Sequence, residues 1–303
     1  MRIAIAGGSG FIGGALTEAL LARGDEVWII SRRAAGADGT RQHAKRSSVT
    51  WDQLEREPSL LEGFDGIVNL AGESINQRWT DAAKRRILES RVTAAERMAS
   101  LVAALKSKPP VVVNASGISA YGHSETELFD EDSRTVQSDF LSRVVREWES
   151  AADKIPVERL VKLRVGLVLD RKGGAFPLML LPYRLFGGGR VGSGKQGLSW
   201  IHIDDMVGLI LFSLDHHNVR GVLNASAPEP VTNDAFGRAV GRAFGRPHWF
   251  PVPAPLLRLA LGEMSSLVLE GQRAWPKRAL ELGYKYRYPK LEAALSQLAG
   301  RSL

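Results

Sequence analysis

Close to its start the chain passes from a short apolar run, Arg2 to Ala6, through Gly7-Gly8-Ser9-Gly10-Phe11-Ile12-Gly13 into a helical pattern. Gly7, Gly10 and Gly13 fit a GxxGxxG spacing, and Gly8, Gly10 and Gly13 also fit GxGxxG. Such glycines do different work: one makes the tight turn, one lets backbone approach a pyrophosphate, and one allows close helix–strand packing. The following helix presents free N–H groups and a partial positive charge, so the loop is a built anion site. The pattern predicts a strand–turn–helix that holds a dinucleotide through the loop backbone, with Gly7, Gly10, Phe11, Ile12 and Gly13 at the phosphates.

The helix is predicted from Phe11 to Arg23, with Gly24 as its stop. A second strand follows from Glu26 to Ser31. An acidic residue at the end of that strand would receive the ribose hydroxyls of NAD. Here the position reads Ser31-Arg32-Arg33, and an Arg guanidinium suits a 2′-phosphate, each charge-assisted bond contributing about 1.5–3 kcal/mol. The expected cofactor is therefore NADP(H), with Ser31 and Arg32 at the phosphate.

Further along, strands at Gly66–Leu70, Val111–Asn114 and Val157–Val165 alternate with helices at Asp81–Leu105 and Ser138–Asp153. Strict alternation implies a doubly wound α/β architecture, a parallel sheet covered by helices on both faces. The polar stretch Arg33 to Ser48 reads as a surface loop. After about Asp170 glycines and prolines become frequent. The expected division is a dinucleotide-binding domain over 1–170 and a smaller lobe over 171–303 that closes a substrate cleft, with some strands returning to the main sheet.

Composition narrows the class. At 303 residues, 44% hydrophobic and 24% charged, the chain is an ordinary globular sequence. With no cysteine it has neither disulfides nor thiolate metal sites, and His216-His217 lacks a partner at ligand spacing, so no metal is expected. No apolar run reaches the roughly 18–20 residues of a membrane span. The N-terminus lacks the long apolar core of a secretory signal, so a cytoplasmic protein without a membrane partner is expected. The net charge of +7 is dispersed rather than interleaved with aromatics, which argues against a nucleic-acid partner.

Several segments together resemble the extended short-chain dehydrogenase/reductase superfamily, in its NAD-dependent epimerase/dehydratase-like branch with a distinctive short C-terminal domain. They are GGSGFIG at 7–13, SRR at 31–33, NLAGE at 69–73, RW at 78–79, SRVT at 90–93 and GSGKQGLSWIHIDD at 192–205. Near the end, NASAPEPVT, LEGQRAWPKR and LGYKYRYP resemble the C-terminal domain of that branch. The resemblance covers essentially the whole chain. It implies a Rossmann fold in which Leu70, Ala71 and Gly72 line the cofactor, Arg91 reaches it from the next helix, and Val165-Gly166-Leu167 pass beside the nicotinamide. It also implies a small carbonyl or alcohol substrate.

The usual Tyr-x-x-x-Lys pair, which sets two side chains on one helix face and lowers the phenol's pKa, is missing. Only Tyr286 has a lysine four residues on, Lys290, and Pro289 between them forbids a regular helix. Counting back from Glu147, Asp139 falls at the tyrosine position and Arg143 at the lysine position, with Phe140 the alternative. As a pair Asp139 and Arg143 read as a surface ion pair. In NASGISAYG, Asn114 to Gly122, Ser116 is the best match to the serine that accompanies the tyrosine, with Ser119 the alternative. Tyr121 either supplies a phenol from a new backbone position or packs at a strand end. His202 is the second candidate for the proton, or a loop-holding histidine. Two functions stay open: an NADP(H)-dependent oxidoreductase or epimerase-like enzyme, and a catalytically silent NADP(H)-binding protein that reports redox state.

Overall fold

A computed structural model of the chain describes residues 1–33 and 44–300. Seven strands form one sheet: β1 (Arg2–Ala6), β2 (Glu26–Ser31), β3 (Arg46–Thr50), β4 (Gly66–Asn69), β5 (Val111–Gly117), β6 (Arg159–Val165) and β7 (Gly221–Ala225). Their order across the sheet is β7-β6-β5-β4-β1-β2-β3, every pairing parallel. The chain leaves β1 toward β2 and returns to its other side at β4. Ligands of open α/β sheets bind at such a reversal, beyond the carboxyl ends of the strands. There Ala6 is in register with Ile30 on one side and Asn69 on the other, so three loops emerge level with one another.

The sheet buries both faces. Along β1, Ile3 and Ile5 point into one layer, against Leu16 and Leu20 of α1 (Phe11–Arg23) and Met206 and Ile210 of a helix from Ile203 to Asp215. Ala4 and Ala6 face the opposite layer, with Met98 and Trp148. These two belong to the long helix Asp81–Ala104 and the helix Phe140–Ala152. A strand buried on both sides reads as a continuous apolar run, which is how RIAIA behaves.

The expected elements appear close to their predicted bounds. Helix α1 ends where Gly24 takes φ +92, with Asp25 N–H donating to Leu20 O and Gly24 N–H to Leu21 O, a Schellman closure. The polar stretch read as a loop needs correction: residues 46–48 belong to β3, which pairs with β2 at the sheet edge. The rest of that expectation, 34–43, lies outside the described residues.

Beyond residue 170 the chain does return to the sheet, through β7. The buried guanidinium of Arg159 donates to the carbonyls of Ser213, Leu214, His216 and Val219, closing the end of the 203–215 helix against the sheet. A smaller apolar cluster, including Phe176, Trp200, Phe236 and Leu295, forms the core of the remaining lobe. The final segment is pinned through Asp205, a buried carboxylate that accepts from the N–H groups of Arg287 and Tyr288. No helix among the described residues is long and apolar enough to cross a membrane.

Candidate functional site

The glycine loop sits at the end of β1, and its shape depends on absent side chains. Gly7 has φ +79, and a Cβ there would lie 2.9 Å from the carbonyl of Leu70. A Cβ on Gly13 would collide with the Gly7 carbonyl oxygen and with Gly8 Cα. The turn is closed by Gly10 N–H to Gly7 O at 2.9 Å, and the Thr17 hydroxyl donates to Gly13 O at 2.8 Å. Gly10 is the N-cap of α1 and supplies no side-chain cap, so the first helical N–H groups point into the space above the loop. Phe11 is covered by the lobe, packed under Gly173 and Gly174, while Ile12 and Phe11 both lean on the core.

Around this loop the structure gathers the other cofactor-side residues. Ser31 ends β2 and its hydroxyl donates to Arg33 O, with Arg32 exposed between them. Leu70, Ala71 and Gly72 leave β4 directly against Gly7. Leu70 N–H donates to Ala6 O, and Ala71 N–H to the Asn69 side chain. Asn69 is itself buried and donates to Asn114 Oδ1 at 2.7 Å, which ties the ends of β4 and β5 together. Arg91 lies over Gly72, where a Cβ would be 3.1 Å from its Cζ. Its Nη1 donates to the carbonyls of Glu73 and Ile87, and the guanidinium rests 5.3 Å from the Trp148 ring centroid. Burial pushes its pKa down to about 10, against the opposing charge of Glu73. Leu167 follows Gly166, where the chain steps from β6 to a short pair with Trp200–His202; a Cβ on Gly166 would stand 2.6 Å from Ser199 O.

This donor set fits a dinucleotide. An uncapped helix start, glycines held against backbone, and an exposed arginine at the end of β2 occupy one edge of the switch point. A nicotinamide bound there would supply or accept hydride, and the residues named would hold and orient it.

Of the candidates for proton chemistry, Ser116 and Tyr121 lie one strand further along, on and just after β5, and His202 ends the short 200–202 strand; all three are engaged inside the fold. Ser116, on β5, donates to Glu149 Oε1 at 2.6 Å. Glu149 also holds Arg164 in a two-pronged ion pair at 2.8 and 2.9 Å. Burial alone would push the Glu149 carboxyl up, but Arg164 holds it below the usual carboxylate range. Tyr121 is buried, stacked on Phe129, and donates to Asn224 Oδ1 at 2.8 Å; burial raises its pKa. His202 is also buried, with Nδ1 accepting from Asp204 N–H and Nε2 facing Gln297 Oε1, so it caps a helix as a neutral ring whose pKa burial lowers. Tyr286 lies in the main core.

Asp139 and Arg143 do not pair with each other. Asp139 is the N-cap of the Phe140–Ala152 helix, in extended conformation, and accepts from Ser142 N–H. Arg143 instead pairs with Glu147 at 2.9 Å on the surface. Asp139 takes a different partner. His123 Nε2 lies 3.2 Å from Asp139 and 3.0 Å from Glu270 of the C-terminal segment. Hydrogen bonding to Asp139 raises the His123 pKa. Nothing in the spacing of 123, 139 and 270 signals this cluster; only the fold brings it together.

Sheet order, glycine loop and switch-point geometry define a dinucleotide-binding Rossmann protein of the extended type. The chain belongs to the NAD dependent epimerase/dehydratase family, whose model matches residues 3–161. Residues 252–298 match a domain of unknown function, DUF1731. The epimerase family protein YfhF of Bacillus subtilis is 41% identical over 304 residues, covering 98% of each chain. The human epimerase family protein SDR39U1 is 39% identical, covering 98% of this chain and 99% of its own. A crystal structure of human SDR39U1 with NADPH superposes with TM-score 0.90 over 100% of both chains. A nucleoside-diphosphate sugar epimerase from Corynebacterium glutamicum, 31% identical, gives 0.77 over 100% of this chain and 59% of its own.

Proposed function

We propose that the chain binds NADP(H) at the glycine loop, with Arg32 on the 2′-phosphate, and exchanges hydride with a small carbonyl or alcohol substrate. The observation that carries the reading is the uncapped start of α1 above a loop that admits no Cβ at Gly7 or Gly13. The human relative crystallised with NADPH supports the choice of nucleotide. Arg91, half-buried and bonded to backbone carbonyls rather than paired with a carboxylate, is a cation available to the cofactor side.

Proton handling falls to His123 rather than to Tyr121 or His202, because its imidazole is half-buried and held by carboxylates, whereas the Tyr121 phenol and the His202 ring are fully buried. With its own proton given to Glu149, Ser116 can accept from the hydroxyl of an alcohol substrate but has no hydrogen left for a carbonyl oxygen. A second reading rests on that commitment of Ser116, Tyr121 and His202: a non-catalytic NADP(H)-binding protein that signals redox state to a partner.

Absorbance at 340 nm, followed with NADPH and a panel of sugar nucleotides, quinones and simple ketones, separates the two. Hydride transfer that weakens on His123→Asn supports the enzyme. Bound NADPH with no turnover across the panel favours the silent protein.

A further inference from the structure

The smaller lobe carries an apolar surface that the cofactor site does not use. The helix Phe176–Arg184 is apolar on two sides. Phe176, Leu180 and Tyr183 enter the core, while Leu178 and Leu181, together with Leu185 just beyond, point to solvent. Leu185 is 72% exposed. Helices that are apolar all round are ordinarily covered by protein or lipid. The helix Ala254–Leu261, APLLRLAL, is more extreme: none of its residues is buried, and Leu259 is 85% exposed.

The chain following the first helix and the chain preceding the second are bonded to each other. Trp249 and Phe250 N–H groups both donate to Gly188 O, the Trp249 indole donates to Phe186 O, and Val252 N–H donates to Arg190 O. A relay from Tyr183 through His248 to Asp234, at 2.9 and 3.0 Å, fastens the same segment from beneath. Yet Trp249 is 71% exposed and Phe186, at φ +60, is 55% exposed. A left-handed phenylalanine costs of order 1–2 kcal/mol. That strain is spent turning an aromatic ring outward.

Charge says what covers this face. No aspartate or glutamate occurs from 171 to 203 or from 235 to 262, whereas Arg184, Arg246 and Arg258 lie within those stretches. The Arg246 guanidinium rests 4.5 Å from the Phe186 ring centroid. Beside the aromatics is an open depression of about 370 Å³ lined by Arg238, Arg242, Arg246 and His248, in which Asp234 and Glu292 pair two of the arginines. A second copy of the chain would bring arginines against arginines. Leucine and tryptophan flanked by arginines match an anionic bilayer surface, with the rings at headgroup depth and the cations toward lipid phosphates.

We propose that this face, from the 176–185 helix through Trp249 to the 254–261 helix, docks the protein peripherally on an anionic phospholipid membrane. This departs from the expectation of no membrane partner; a surface contact needs no spanning segment. Docking is independent of the nucleotide.

Flotation of the full chain with vesicles tests it, using phosphatidylcholine alone and phosphatidylcholine with about a third phosphatidylglycerol. Binding to the anionic vesicles only is expected. It should weaken about tenfold on Leu259→Ser and about fivefold on Arg258→Gln, and fade with salt. Both positions are exposed, so neither change threatens folding. Light scattering without lipid should show no change on Leu259→Ser. Absence of binding to either vesicle, or equal binding to both, overturns the proposal. So does a dimer that Leu259→Ser dissociates in protein that ignores lipid, since the face would then join copies of the chain.

Discussion

Gly13 shows how a single missing atom shapes the site. A methyl there meets backbone, the Gly7 carbonyl oxygen and Gly8 Cα, which cannot swing aside as a side chain would. Gly13→Ala is expected to cost about 1–3 kcal/mol in urea denaturation and to weaken nucleotide binding as the loop opens. Local residues such as this were legible in the sequence because the turn, the helix start and the arginine of Ser31-Arg32-Arg33 are neighbours along the chain. Roles fixed by distant partners were not. The Tyr121 phenol is held by Asn224 across 103 positions, and Ser116 by Glu149 across 33. No spacing rule connects such pairs, so a phenol near the expected strand end reads as a candidate until its partner is seen.

Among the elements, periodicity gave good bounds for helices and buried strands. It failed for β3: Arg46-Ser-Ser-Val-Thr has little apolar content, and its strand conformation comes from pairing with β2. The helix from Phe140 to Ala152 was foreseen, but the capping role of Asp139 turned that side chain away from Arg143. That helix also delivers Glu149 to Arg164. Both are nearly buried, with side chains 13% and 5% exposed. Removing the carboxylate strands a cation in the fold, so Glu149→Ala should destabilise by about 3–5 kcal/mol. Replacing the pair together, as Glu149→Leu with Arg164→Met, should recover a large part of that loss in the same denaturation assay. If the single and double variants are equally unstable, the ion pair is not what the helix relies on.

At the scale of the molecule, the C-terminal segment is fastened to the dinucleotide-binding half by ion pairs that the sequence did not reveal. Lys84 meets Glu263, and His123 meets Glu270 beside a Ser124 N–H to Gly271 O bond. Asp139 and Glu270 both raise the His123 pKa above its ordinary value, near 6.5. The stabilisation it contributes is therefore complete below that value and is lost as pH rises through the raised one. Thermal melts of the parent and His123→Ala should differ most below about pH 6.5 and converge as pH rises through the raised value. A difference that grows with pH would remove His123 from this role.

On the reading proposed above, the glycine loop holds the pyrophosphate and Arg32 selects NADP(H) over NAD(H). Calorimetric titration of NADPH and NADH into the parent and Arg32→Ala tests it most directly. NADPH should bind tighter than NADH by at least about tenfold, with the variant losing most of that preference while keeping its NADH affinity. Equal affinities that ignore Arg32, or no binding of either nucleotide, would contradict it.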